Sequence, residues 1–182
     1  MTLPDARERE IYAGRVVTLR LKHLLTADGS VRLREIVEHA PGAAVVAIDA
    51  DRQVLLVRQW RPAVDQAVLE LPAGLVDPGE SPAECARREL EEETGFTADT
   101  LEPLVSFYSS PGFCTELLYL FSASDLRPAQ RAHDEEEELE LVRLPLDAAI
   151  DQVLRGEISD AKTVAGLLAY YRMSSGRSTI TR

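Results

Sequence analysis

The stretch AGLVDPGESPAECARRELEEETGF, Ala73 to Phe96, decides how this chain reads. Pro78-Gly79 is turn chemistry, because proline presets φ and glycine accepts positive φ. Ser81-Pro82-Ala83-Glu84 then reads as a capping box, with Ser81 at the N-cap, Pro82 at the first helical position and Glu84 reaching back. Ala83, Ala86, Arg87 and Leu90 favour a helix, and Gly95 is a natural stop just past its end. On that helix Glu89 and Glu93 lie four apart and Glu92 three from Glu89, so all three crowd one face. Like charges at this spacing repel by a few tenths of a kcal/mol per pair, on the order found for exposed helices. A solvated acidic face is the bland reading. A hard divalent cation, which takes carboxylate oxygens together with substrate phosphates, reverses the sign of that cost, and the preceding loop favours this second reading.

The same residues resemble the Nudix box, G-x5-E-x7-R-E-U-x-E-E-x-G-U, where U is a bulky apolar residue. Gly74, Glu80, Arg88, Glu89, Leu90, Glu92, Glu93 and Gly95 fall in register. Phe96 stands at the last U, where an aliphatic residue is more usual. The resemblance implies an α/β/α sandwich with a mixed sheet, and hydrolysis of a diphosphate with bound divalent cations. It implies Glu89, Glu92 and Glu93 as cation ligands, joined by the backbone carbonyl of Ala73. Arg88 would orient a box carboxylate, against the alternative of a plain surface arginine. Gly74, Glu80 and Gly95 would be structural, with Glu80 holding the loop.

The rest of the chain sets bounds. Its 182 residues fit one domain, or one domain with an appended arm. No apolar run reaches the roughly 18 residues of a membrane span. The start, MTLPDARERE, has no apolar core of a secretory signal, so a cytoplasmic location is the default expectation. A formal charge of −11 without a basic block argues against a nucleic-acid partner. That field also repels an anionic substrate, so cations and local arginines must attract it. Cys85 and Cys114 form neither a disulfide framework nor a zinc spacing.

Along the chain, alternation from Val17 to Leu21, the Asp28-Gly29 turn and VRLREIVEH (31–39) predict an N-terminal β-hairpin. Ala43–Ile48 and Val54–Arg58 read as buried strands. Trp60-Arg61-Pro62 breaks the pattern, and Ala67–Leu71 resumes it. Leu101–Phe107, Leu117–Phe121 and Leu139–Leu144 read as strands, with a loop over Leu126–Glu138. Helices are expected over Leu146–Arg155 and Asp160–Met173, split at Gly156. The expected organisation is an arm over 1–40 that forms a dimer, a hydrolase domain over 41–173 and a loose tail over 174–182. Strands with one central and two late helices make the fold class α/β (α+β).

Further residues gain meaning beside the box. Pro111 in Ser110-Pro111-Gly112 lies sixteen residues past Gly95. With the pattern Y-x-S-P-G-x-x-x-E, Tyr108 to Glu116, it resembles the ADP-ribose pyrophosphatase subgroup; alone it would be an ordinary turn. The resemblance places Arg61 on the diphosphate or ribose side of the ligand, and Arg34-Glu35-Ile36 at the nucleotide, sometimes across a dimer. Pro111, Gly112 and Glu116 join them as substrate-side residues. Trp60 has two readings, a stacking partner for adenine or a half-buried core aromatic. Consecutive acids at 134–138 usually mean a solvated loop. In the subgroup such a loop brings glutamates to the metals, one serving as base or water ligand; the match falls on Glu135 and Glu137, with Glu137 also a metal ligand, and a shift of one residue gives Glu136 and Glu138 instead. GEISDAKTVAGLLAYY (156–171) resembles the subgroup's closing helix.

The reading is therefore a Mg²⁺-dependent hydrolase, with Mn²⁺ as a substitute and two or more ions per site. It would split ADP-ribose, or a related nucleoside diphosphate sugar, and work as a homodimer. GDP-mannose or a dinucleoside polyphosphate is the alternative substrate. A non-catalytic ligand sensor on the same fold is disfavoured, because such proteins usually lose box carboxylates and this chain keeps all of them.

Overall fold

The structure is a computed structural model describing residues 8–129 and 139–176. Strands β1 (Glu8–Ala13), β2 (Val17–Leu25) and β3 (Val31–His39) form one antiparallel sheet in the order β1-β2-β3. Then follow β4 (Gly42–Ile48), β5 (Gln53–Arg61), β6 (Gln66–Glu70), β7 (Ala73–Leu75), α1 (Pro82–Thr94), β8 (Phe96–Tyr108) and β9 (Leu117–Pro128). The last elements are β10 (Glu140–Pro145), α2 (Leu146–Leu154) and α3 (Ala161–Ser175). The chain divides into two compact units. One holds the described residues up to Pro41 with Phe107–Leu117, the other Gly42–Ser106 and the described residues from Leu118 onward.

In the larger unit the second sheet runs β10-β5-β4-β9-β8, with β6 on β5 and β7 on β4. It is mixed: β4 is parallel to β9 and antiparallel to β5 and β7. All seven residues of β4 are buried, as a central strand covered on both faces requires. Its alternation shows which helix covers which face. Ala43, Val45 and Ala47 pack in clusters with Cys85, Ala86 and Leu90 of α1, together with Phe121 and Ala123. Val46 points the other way, with Leu71 and Leu120, toward Gly166 of α3, where an added Cβ would lie 2.7–3.1 Å from those side chains. Helices on both faces of a mixed sheet make the α/β/α sandwich that the sequence implied. No helix among the described residues is long and apolar enough to cross a membrane.

Four expectations are corrected. The β2–β3 hairpin is joined by a third strand, β1, whose residues are all exposed. It carries no apolar period because it is an edge strand held by backbone pairing and by Glu8–Lys22 and Glu10–Arg20 ion pairs. Trp60 and Arg61 do not interrupt β5; they pair with Ala67 and Gln66, and the chain turns only beyond them, with Asp65 at φ 53°. The three-residue strand β7 was not foreseen, since its partner β4 is thirty residues earlier. Finally, β9 continues through Leu126 to Pro128, where a loop was expected.

Candidate active site

Helix α1 starts and stops where local chemistry dictates. Ser81 Oγ accepts from Glu84 N at 3.3 Å, and the Glu84 carboxylate accepts from Ser81 N at 2.8 Å. Gly95 closes the helix at φ 72°, a left-handed conformation that suits glycine. The preceding loop is pinned by Glu80, which accepts from Asp77 N at 3.1 Å.

Arg88 is the centre of the cluster this helix builds. Its Nε and Nη2 donate to the two oxygens of Glu80, both at 3.0 Å. Nη1 donates to Glu89 at 2.6 Å and to Glu92 at 3.2 Å, and Nη2 also reaches the carbonyl of Leu75 at 3.1 Å. A guanidinium has five N–H donors, so every one is used on oxygen. The Arg88 hydrogen bond, outweighing what burial takes back, holds the Glu80 carboxyl below its ordinary range. Reciprocally, bonding to Glu80 and the charge on Glu89 raise the Arg88 pKa further, so the guanidinium stays charged.

Glu89 and Glu93 are buried, at 9% and 7% exposure, which a solvated acidic face would not be. Glu93 accepts from Ala73 N at 3.0 Å and ties α1 to β7. Glu89 lies so close to β7 that a Cβ on Gly74 would sit 1.8 Å from its Oε1. Gly74 thus makes room for the carboxylate where it now lies, while its own backbone asks for no glycine. Cys85 is buried beside the same loop, within 3.3 Å of the Leu75 carbonyl. Burial first, then the charge on Glu89, pushes its thiol up to about 12, so it is no nucleophile.

A second charged group lies in the same unit. Arg61 donates to both oxygens of Glu70, from Nε at 2.7 Å and Nη2 at 2.8 Å. Lys162 also bonds Glu70 and pairs with Asp160 at 3.1 Å. These side chains line a cleft of about 420 Å³ with Val64 and Val68. Of the four, only Arg61 was singled out from sequence. Glu70, Asp160 and Lys162 were missed, although the Asp160 N-cap of α3 was a readable signal.

In the smaller unit, Arg34 and Glu35 are exposed on β3. The Pro111-Gly112 turn closes with Cys114 N bonding the Ser110 carbonyl at 2.8 Å, and β3 takes up its far end. Val37 N donates to Phe113 O at 2.7 Å, and Thr115 N to Val37 O at 3.0 Å. Arg34, Glu35, Phe113, Leu19, Leu33 and Val37 thereby line a hollow of about 370 Å³. Glu116 faces the His39 ring, 3.5 Å from Nδ1. The structure therefore gathers Ala73, Gly74, Glu80, Arg88, Glu89, Glu92 and Glu93 in one unit, and Arg34, Glu35, Pro111, Gly112 and Glu116 in the other. Glu135 and Glu137 lie outside the described residues.

The donors of the box cluster are all oxygens, the set a hard cation such as Mg²⁺ takes, and Gly74 leaves room for Glu89 among them. Among the described residues no three acidic, imidazole or thiol groups are already arranged around one point for an ion. In this conformation Arg88 lies between Glu89 and Glu92, and the Ala73 N–H holds Glu93. The donor chemistry fits.

Comparison with known proteins agrees with this geometry. A model of the NUDIX domain matches residues 38–167. The ADP-ribose pyrophosphatase of Bacillus subtilis (strain 168) is 37% identical over 158 residues, 86% of this chain and 85% of its own. The methanol dehydrogenase activator of Bacillus methanolicus is 38% identical over 160 residues, 87% and 86% of the two chains. The GDP-mannose pyrophosphatase of Cronobacter sakazakii is 38% identical over 154 residues, 78% and 80%. A crystal structure described as an ADP compounds hydrolase superposes with a TM-score of 0.83 at 28% identity, covering 97% of this chain and 99% of that one. The chain belongs to the Nudix family as a pyrophosphohydrolase of phosphoanhydride bonds, related to the ADP-ribose pyrophosphatases and acting on a nucleoside diphosphate-linked compound.

Proposed function

We propose that the chain hydrolyses ADP-ribose to AMP and ribose 5-phosphate, using two or more Mg²⁺ ions for which Mn²⁺ can substitute. The observation that carries the substrate is the hollow of the smaller unit. There the Pro111 turn sets Phe113 beside Arg34 and Glu35 over an apolar floor of Leu19, Leu33 and Val37. An aromatic ring, one cation and one hydrogen-bond acceptor suit a purine nucleoside. The relatedness to ADP-ribose pyrophosphatases along most of the chain points the same way.

For the reaction, Glu89, Glu92, Glu93 and the Ala73 carbonyl would hold the cations. Bound cations neutralise the diphosphate and lower the pKa of water. Arg88 keeps Glu89 and Glu92 aimed. Arg61 binds the diphosphate or ribose side, Glu116 and Gly112 border the substrate, and Glu135 or Glu137 accepts the proton of the attacking water. We assign the hydrolase domain to residues 41–173 and the dimer contact to the arm at 1–40, in a homodimer of cytoplasmic location.

GDP-mannose is the second reading, favoured by the relative named as a GDP-mannose pyrophosphatase. Purified protein with Mg²⁺ or Mn²⁺, offered ADP-ribose, GDP-mannose, other nucleotide sugars and dinucleoside polyphosphates with product identification, separates them. Failure to release AMP from ADP-ribose would sink the first reading. The Glu93→Gln variant tests the sensor alternative: an enzyme loses turnover by orders of magnitude while folded, whereas a sensor keeps its response. Light scattering of active protein tests the dimer, and a monomer with full activity would exclude a shared site.

A further inference from the structure

We infer that Lys162 is a positioning residue for Arg61, acting through Glu70. This rests on the placement of Arg61 at the substrate proposed above. The carboxylate of Glu70 is 3% exposed and Lys162 is 13% exposed, whereas Arg61 is 42% exposed. A buried carboxylate needs charge partners, and removing one leaves the charge uncompensated. Glu70 spends both oxygens on Arg61, and the one facing Nη2 also receives Lys162. The contact spans 92 positions in sequence.

The lysine is itself held. Asp160 Oδ2 takes Lys162 at 3.1 Å, Thr163 N at 3.0 Å and Thr163 Oγ1 at 2.6 Å. Thr163 Oγ1 in turn accepts from Leu71 N at 2.8 Å, and Leu71 follows Glu70 in the chain. The bonds close a ring: Glu70, Leu71, Thr163, Asp160, Lys162 and back to Glu70. Thr163 is fully buried and Gly166 presses α3 onto Leu71, so the ring cannot slide.

Its effect on Arg61 is geometric and electrostatic. Two of five guanidinium donors are fixed by Glu70, which leaves the outer edge aimed into the cleft at a set angle. Asp160 faces the first-turn N–H groups of α3, which offset part of its charge. Lys162 therefore shares the charge of Glu70, so Arg61 is not the sole cation answering that carboxylate. Glu93 of the box is near enough for its charge to bear on Arg61. A diphosphate held at the box through cations is the anion that edge would serve. A clamp that merely fastened α3 to β6 would need none of this aim.

The test uses full-length Arg61→Ala, Lys162→Met, Lys162→Arg and the Arg61→Ala/Lys162→Met double variant, each checked by thermal melting. Activity is read on the nucleoside diphosphate compound cleaved fastest with Mg²⁺. Independently of turnover, the Arg61 Nε–H resonance is read by ¹⁵N NMR, identified by its loss in Arg61→Ala. Lys162→Met is expected to speed solvent exchange of that Nε–H severalfold. It should raise KM about tenfold, the change expected when one charge-assisted hydrogen bond is lost, with kcat within about twofold. Lys162→Arg restores both, and the double variant is no worse than Arg61→Ala, as for residues acting in series. Should Lys162→Met not fold, Lys162→Gln is scored the same way. Unchanged exchange and KM, or multiplying effects in the double variant, overturn the inference. If exchange changes but Arg61→Ala leaves KM untouched, the linkage stands while Arg61 is not at the substrate, and the positioning role falls.

Discussion

Replacing Arg88 by Met removes six hydrogen bonds at once, four of them to carboxylate oxygens. The three acids are not equally exposed: the side chains of Glu80, Glu89 and Glu92 are 16%, 12% and 28% accessible. Glu89 sits against β7 and can re-solvate least, so stranding it costs about 1–3 kcal/mol. The other two rehydrate more easily and contribute about 0–1 kcal/mol each, the range of surface pairs. Their mutual repulsion adds a few tenths more, as for like charges on a helix face. The expected destabilisation is about 3 kcal/mol, read by urea unfolding in EDTA with an unchanged slope. Lys at this position keeps the charge but not the fork, and should recover about half of that loss. Mg²⁺ is the decisive arm. With the guanidinium gone, the cation takes over its role, and a ligand at a hundred times its dissociation constant stabilises by about 2.7 kcal/mol. The deficit should therefore shrink as Mg²⁺ rises. A loss under about 1 kcal/mol, or a deficit indifferent to Mg²⁺, would refute the idea that Arg88 and the cation serve the same carboxylates.

Gly74→Ala places a Cβ 1.8 Å from Glu89 Oε1, so the carboxylate must shift from its present place beside Arg88. Mn²⁺ binding followed by electron paramagnetic resonance should weaken at least tenfold, about 1.4 kcal/mol, while the melting curve stays cooperative. Ser81→Ala removes the side-chain acceptor of the capping box and should cost about 1 kcal/mol in urea unfolding without changing KM. For Glu70, burial pushes the carboxyl up, but the hydrogen bond from Arg61 and the charge of Lys162 outweigh it and hold the pKa below its ordinary 4.5. A depressed folded pKa contributes stability that is complete above 4.5 and is lost as pH falls through the folded value. Glu70→Gln should flatten that part of the acid limb, measured as melting temperature from pH 6 downward.

What the sequence shows plainly is what short-range chemistry decides. Both ends of α1 were readable because Ser81, Pro82, Glu84 and Gly95 act within one helical turn of where they stand. The period of β4 and β5 was readable because burial on two faces leaves an unbroken apolar run. Strand β7 was not, since three residues around a glycine have no period, and they become a strand only by pairing with β4. The end of β5 was misplaced for a related reason. Pro62 cannot donate to a ladder, but Trp60 and Arg61 precede it and find their partners in β6.

The site divides along the same line. Arg88 meets Glu89 and Glu92 at spacings of one and four, so that part of the cluster is written in five consecutive letters. Lys162 meets Glu70 across 92 positions, and no local pattern marks it. Sequence also leaves one question about the box open: whether an acidic helix face is bathed in water or holds a cation. Burial decides it. Glu89 and Glu93 are nearly enclosed, and carboxylates removed from water need compensation. Glu80, Glu89 and Glu92 surround the guanidinium of Arg88 and Glu93 sits on the Ala73 N–H, four carboxylates gathered within a chain whose net charge is −11. Arg88 answers Glu80, Glu89 and Glu92, and the Ala73 N–H answers Glu93. Oxygen donors gathered this closely suit a hard divalent ion, and the Mg²⁺ dependence of the Arg88→Met deficit is the measurement that tests whether they hold one.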